Sequence, residues 1–154
     1  MNSVDAILAD PSVTHIRDLI RLMVDHLYEV HNLQAQGILS RDVVSTALDR
    51  EKLGSTGVGN GVALPHARLP GLDRIYTAFA RLSDPIDFDA IDGRPVDLVC
   101  LILAPLDDGG AYLRNLAQVS RLLRRADLRQ RLRSAPDAEA LSMILISGPD
   151  TAAA

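Results

Sequence analysis

Between Val13 and Leu33 the apolar residues Ile16, Leu19, Ile20, Met23, Val24, Leu27 and Val30 recur every three or four positions, the spacing of one helix face. Ser12 or Thr14 is placed to cap the start. Gln34 to Leu39, with Gly37, reads as a loop. A shorter stripe, Val43, Val44, Ala47 and Leu48, then predicts a helix entered through Ser40 as N-cap and ended by Gly54. The period changes in the middle of the chain. Val62 to Leu64 suits a short buried strand, and Ile75 to Leu82 alternates loosely as a strand does, with Asp84-Pro85 as its stop. Ile86-Asp87-Phe88 reads as a further extended piece. Val96 to Ala104 is almost wholly apolar, as in a strand covered on both faces, and stops at Pro105. Leu69-Pro70-Gly71-Leu72 and Asp92-Gly93 read as turns, the second of hairpin type. Helical spacing returns from Ala111 to Arg125, with Leu113, Leu116, Ala117, Leu122 and Leu123 as the expected buried face. Asp127 opens a short helix carrying Leu128 and Leu132. Pro136-Asp137 opens the last one, which runs through Met143 and Ile146 to an expected end at Gly148. Met1 to Ser12 reads as a lead-in and Asp150 to Ala154 as a frayed end. Helices at both ends therefore enclose a strand-rich middle. The fold class is α/β, a single domain over residues 1–154 with its core at about 13–148 and a mixed β-sheet with helices on both faces.

Composition narrows the chemistry. With 154 residues, 47% hydrophobic and only 3% aromatic, the chain can bury a real core, but one packed by aliphatic side chains. A formal net charge of −4 gives no general attraction to nucleic acid or anionic membrane. Seven of the fifteen arginines (Arg114, Arg121, Arg124, Arg125, Arg129, Arg131 and Arg133) crowd into twenty residues with only Asp127 against them. They alternate with core leucines and lack interleaved aromatics, so a solvated helix face or a dock for an acidic partner is favoured over nucleic-acid binding. Cys100 lies in the apolar run and reads as a small buried hydrophobe. A single cysteine suits a reducing, cytoplasmic setting. No run is long enough to span a membrane, and no basic leader precedes an apolar stretch, so neither membrane insertion nor secretion is expected. His26 and His31, five apart, do not share a helical metal site, and Asp107-Asp108-Gly109-Gly110 reads as a helix-entry turn in preference to a metal loop. No metal or cofactor is expected.

One stretch carries candidate chemistry: Arg50 to Arg68, REKLGSTGVGNGVALPHAR. Gly54, Gly57, Gly59 and Gly61 fall within eight residues, followed by Val62-Ala63-Leu64-Pro65-His66. Glycines permit positive φ and close approach of a ligand to the backbone. Pro65 fixes its own φ and holds Leu64 extended. The arrangement presents the imidazole of His66 at a strand end beside a loop whose amides can bind an anion. Neutral imidazole, abundant at pH 7, is a nucleophile able to carry a phosphoryl group as a phosphoramidate. The plainer reading is an ordinary strand-terminal histidine after a glycine-rich turn. Ser55, Thr56 and Asn60 can donate to phosphoryl oxygens or make local turn hydrogen bonds. Arg50, at the end of its helix, can face a phosphate with its planar fork or complement the helix dipole.

The pattern Glu51, six residues, Val58, Gly59, Asn60-Gly61, Val62-Ala63-Leu64-Pro65-His66-Ala67 resembles the active-site segment of the mannitol/fructose/nitrogen class of enzyme IIA in the bacterial phosphotransferase system. LPGLDR, PIDFDAIDGRPVDL and LILAP resemble its nitrogen-regulatory branch, and the likeness covers roughly Leu39 to Ile146. The resemblance implies that family's fold, with His66 as phosphoryl acceptor and a phosphohistidine intermediate. It implies that Arg50 belongs to the phosphoryl-binding surroundings, and Ser55, Thr56, Asn60 and Gly61 complete the candidate phosphoryl-binding set. It also implies an HPr-like phosphocarrier protein as donor, and regulatory targets such as potassium transporters or sensor kinases; a homodimer is left open. The sequence departs from the family at one place. Seven residues past Pro105, where a second histidine usually stands, is Tyr112. A tyrosine donates one hydrogen bond but stays neutral at pH 7, or it merely packs. The alternatives are accordingly a regulatory binding module with impaired phosphotransfer, or a sugar-specific enzyme IIA.

Overall fold

The computed structural model describes residues 4–153, and side chains through residue 146. Met1 to Ser3 of the expected lead-in and Ala154 of the expected frayed end lie outside the described residues. The elements run β1 (Ala6–Ala9), α1 (Ile16–Val30), α2 (Ser40–Leu53), β2 (Gly57–Gly59), β3 (Val62–Ala63), β4 (His66–Leu69), β5 (Tyr76–Ile86), β6 (Val96–Pro105), α3 (Gly109–Leu123), α4 (Ala126–Ser134) and α5 (Ala138–Ala153), with a 3-10 turn at Leu33–Gln36.

β6 is the spine of the sheet. Its ten residues are apolar except Asp97, and Val96 and Leu98 to Ala104 are all buried. β5 lies antiparallel along one edge, with β1 parallel beyond it. The other edge is shared by β3 and β4, both parallel to β6: Val62 and Ala63 face Leu98 and Val99, and His66 to Leu69 face Ile102 to Pro105. These two short strands are one strand broken at Leu64-Pro65. Proline has no N–H to give to the ladder, yet its carbonyl still accepts from Ile102 N at 3.0 Å, so pairing resumes at His66. β2 closes that side, antiparallel to β3.

Alternation along β6 divides the core in two. Val99, Leu101 and Leu103 pack under α1 and α2, with Leu19, Ile20, Met23 and Leu27. Leu98, Cys100 and Ile102 pack under α3, α4 and α5, with Val119, Leu123, Leu128 and Leu141. Helices thus cover both faces of a mixed sheet.

Several expectations shift. The lead-in holds β1, with Ala6 in the core, so the core begins before residue 13. Neither Ser12 nor Thr14 caps α1: His15 is the N-cap, and no side chain completes it. Leu39, not Ser40, precedes α2 as N-cap. β5 runs past Asp84-Pro85, because an irregularity between Arg81 and Ile86 lets Ile86 regain pairing with Val96. The segment from β5 to β6 is a longer loop, turned by Gly93 at φ 71°, not a tight hairpin. α3 buries Tyr112, Val119, Leu122 and Leu123, while Leu113 and Ala117 are exposed. α5 continues beyond Gly148.

Candidate functional site

The break in the β3/β4 strand creates the site. Freed from the ladder, the Leu64 carbonyl turns to the ring of His66 and lies 3.0 Å from Nδ1. On the opposite side of the ring, Arg50 Nε approaches Nε2 at 3.1 Å. These two contacts fix the tautomer. A guanidinium N–H always donates and a carbonyl oxygen can only accept, so Nδ1 carries the proton and Nε2 the lone pair. Burial is the main influence lowering the pKa of His66 below the usual imidazole value. The Leu64 hydrogen bond opposes that, the Arg50 charge adds to it, and Glu51 pulls the other way. The ring is therefore neutral at pH 7, with its nucleophilic nitrogen defined.

Arg50 is held for this contact. It sits in the last turn of α2, and its Nη1 donates to Gly54 O at 2.8 Å, bracing the guanidinium against the helix end. Glu51, next in the chain, accepts from Thr56 N at 3.2 Å and from the Thr56 hydroxyl. That clasp shapes the turn between α2 and β2.

Tyr112, near the start of α3, lies against His66. The ring centroids are 5.6 Å apart with a 49° tilt. Burial raises the pKa of its phenol, partly offset by the positive charges of Arg50 and Arg68. It is a neutral neighbour. Arg68 also reaches this ring, its Cζ 5.2 Å from the centroid.

The residues expected from the sequence therefore separate into two groups. His66, Arg50 and Tyr112 come together. Ser55 and Thr56 are nearby in sequence but engaged: the Ser55 hydroxyl donates to Phe88 O, and that of Thr56 to Glu51. Asn60 and Gly61 are carried away from His66. They form the turn into β3, where Gly61 O accepts from Asp97 N and Leu98 N and Asn60 O accepts from Arg133 Nη2. In the register of β6 that is five residues from Ile102, the partner of His66, or roughly 16 Å at about 3.3 Å per residue. Arg68 is the residue that the sequence reading missed. Its signal was present: His66-Ala67-Arg68-Leu69 alternates half-buried and buried positions, so Arg68 shares the face of His66.

Asp107-Asp108 does serve as a helix entry, Asp108 Oδ1 accepting from Ala111 N at 3.2 Å. Among the described residues no three His, Cys, Asp or Glu side chains are grouped to hold a metal. No helix among them is long and apolar enough to cross a membrane. Three of the seven crowded arginines are engaged within the fold. Arg125 pairs with Asp127, Arg133 with Asp97, and Arg129 donates to Leu123 O and Arg124 O.

A neutral imidazole oriented by a carbonyl and a guanidinium thus sits at the break of a parallel strand in a two-sided α/β sheet. The profile of the family described as phosphoenolpyruvate-dependent sugar phosphotransferase system, EIIA 2, matches residues 1–148, and the chain belongs to that family. Within it the chain is similar to the nitrogen regulatory branch. It is 51% identical over 113 residues to the nitrogen regulatory protein of Bradyrhizobium diazoefficiens, covering 73% of this chain and 74% of that one. To the nitrogen regulatory protein of Pseudomonas aeruginosa it is 46% identical over 123 residues, covering 78% and 80%. The crystal structure of nitrogen regulatory protein IIA-Ntr from Neisseria meningitidis superposes with a TM-score of 0.81 at 33% identity, over 92% of each chain. The mannitol IIA of Escherichia coli, 20% identical, shares the fold with a TM-score of 0.71 over 92% of this chain and 96% of its own.

Proposed function

We propose that this protein is a nitrogen-regulatory phosphoryl carrier. His66 Nε2 takes a phosphoryl group from an HPr-like phosphohistidine carrier. The phosphorylated and unphosphorylated forms then differ in their binding to regulatory targets, such as potassium transporters or sensor kinases. The observation that carries this reading is the Arg50–His66–Leu64 alignment. It holds a proton on Nδ1, leaves the lone pair on Nε2, and stations a cation where the oxygens of an incoming phosphoryl group would arrive. Similarity to nitrogen regulatory proteins supports the regulatory half of the reading.

Incubation with phosphoenolpyruvate and the donor proteins is expected to add the mass of one phosphoryl group, acid-labile, and His66→Ala is expected to abolish the gain. Uptake of acid-labile phosphate by His66→Ala would overturn the assignment.

One observation favours a second reading, a docking module without turnover: the group facing His66 is the neutral Tyr112. Native mass spectrometry of protein from growing cells separates the two, since persistently unmodified His66 under conditions that phosphorylate the donor would favour the module.

A further inference from the structure

We propose that Arg68 is a second phosphoryl-binding guanidinium, acting with Arg50 to hold the group carried by His66; this rests on the reading of His66 as phosphoryl acceptor. Arg74, Arg81, Arg125 and Arg133 each pair with a carboxylate. Among the described residues Arg68 pairs with none. Its Nη2 donates to Leu106 O at 2.6 Å, its Cζ sits over the Tyr112 ring, and its Nε is buried without an acceptor. A permanently charged group is thus anchored by one bond and one aromatic face, with a buried donor unused. A phosphoryl group supplies both missing elements, negative charge and oxygen acceptors.

The backbone places Arg68 within range. It is two residues beyond His66 on β4 and on the same face, with α-carbons about 6–7 Å apart. Both side chains lie against Tyr112, which cannot itself supply a cation at neutral pH. Arg50 alone is also poorly matched to the product. In the resting state its Nε–H is spent on Nε2. In the transfer step the Nε2 lone pair becomes the new N–P bond. The P–N bond to the donor's imidazole breaks, and its electron pair stays on that donor nitrogen. The proton on Nδ1 remains against Leu64 O. Arg50 then turns its N–H groups to the phosphoryl oxygens, and three such oxygens offer more acceptor sites than one fork fills. Arg68 is a second cation beside the same Tyr112 ring.

The test uses potassium phosphoramidate, a small phosphoryl donor that requires no protein docking, on the full chain with Arg68 intact, Arg68→Ala and Arg68→Lys. Phosphate-affinity gels follow the lifetime of the phosphorylated form, and phosphorus NMR follows the pH titration of the phosphoryl group. Arg68→Ala is expected to lose its phosphoryl group about tenfold faster, the effect of one charged contact, with the phosphorus titration displaced to higher pH. Arg68→Lys, which keeps charge but not the fork, is expected to restore the titration while recovering only part of the lifetime. Amide spectra establish that each variant is folded; should Arg68→Ala not fold, the shortened lifetime of Arg68→Lys carries the test. Lifetimes and titrations equal to those of the parent protein in the folded variants would overturn the proposal while leaving His66 as acceptor. Failure of the parent protein to take up phosphoryl on His66 would instead remove the reading beneath it, and the proposal with it.

Discussion

At the scale of single residues, the decisive quantity is the protonation of His66. An unfolded imidazole binds its proton near pH 6.5, and burial lowers the folded value, with the Arg50 charge a smaller contribution in the same direction. Two measurements follow. The carbon-bound proton signals of His66 should titrate below the usual imidazole midpoint, and in Arg50→Ala the midpoint should move up without reaching the unperturbed value, since burial remains. Arg50→Ala should also slow phosphoryl uptake roughly 10- to 100-fold, the scale of losing one preorganised charged donor at the site of charge development. The same shift couples to stability. Between the unfolded and folded pKa values the unfolded chain binds more protons, so stability falls as pH falls. The contribution is whole above the unfolded value of about 6.5 and is lost as pH drops through the lower folded value. Chemical unfolding of the parent and His66→Ala across that window should reveal a slope present only in the parent.

Elements decide which of the expected site residues can meet. Gly61 stands at φ 77°, and a Cβ there would lie 2.5 Å from Arg133 Nη2 and 2.7 Å from Asp97 Oδ1. Gly61→Ala therefore strains the backbone and displaces the Arg133–Asp97 pair. An expected loss of about 1–3 kcal/mol should appear as a lowered urea midpoint. Because Gly61 belongs to the turn into β3, well along the sheet from His66, phosphoryl uptake should survive; a loss of uptake in the folded variant would restore Gly61 to the phosphoryl site. The glycine-rich signature could be read in sequence as one loop around one histidine, but a strand two residues long carries half of it away. That strand could not be foreseen from local pattern, because what sustains Val62-Ala63 is pairing to Leu98 and Val99, a tertiary partner. β1 escaped for a similar reason: AILA is too short for a period, and its partner, β5, begins seventy residues later. In contrast, α1, α4 and β6 were legible because each has its apolar pattern within itself. Arg68 lay just past the recognised motif, though the alternation that reveals it began inside. On α3, a leucine count pointed to Leu113, whereas the Asp108 cap and the pull of Tyr112 into the site rotate Leu113 outward.

For the whole molecule, two buried side chains report on how the layers hold together. Arg81 on β5, 6% exposed, donates to Asp10 just after β1 and to Leu132 O and Ala135 O at the end of α4. One guanidinium thus joins the sheet to the helical layer above it, and it donates to carbonyls at the helix end, where intrahelical donors run out. Arg81→Leu removes these donors and the ion-pair partner of Asp10, while Leu132 O keeps Ala135 N. Asp10 is partly open to water, so the expected cost is about 2–4 kcal/mol, below the full penalty for breaking a wholly buried pair. Cys100 provides the readout. It lies in the middle of β6 with no exposure, and burial pushes its thiol up to about 12, so it is neither accessible nor ionised in the native state. A thiol reagent can reach it only when the layer of α3, α4 and α5 lifts from the sheet, which opens half of the core. Labelling at pH 8 should then be slow and governed by global opening. Arg81→Leu should accelerate it by roughly 30- to 1000-fold, the equilibrium equivalent of its lost stability when opening is fast relative to labelling. Arg50→Ala should change it little, since the Arg50–His66 contact lies at the surface of the α2 end. Rapid labelling of the parent protein would mean that the helical layer over this face opens locally, and that Arg81 does not tie it to the sheet.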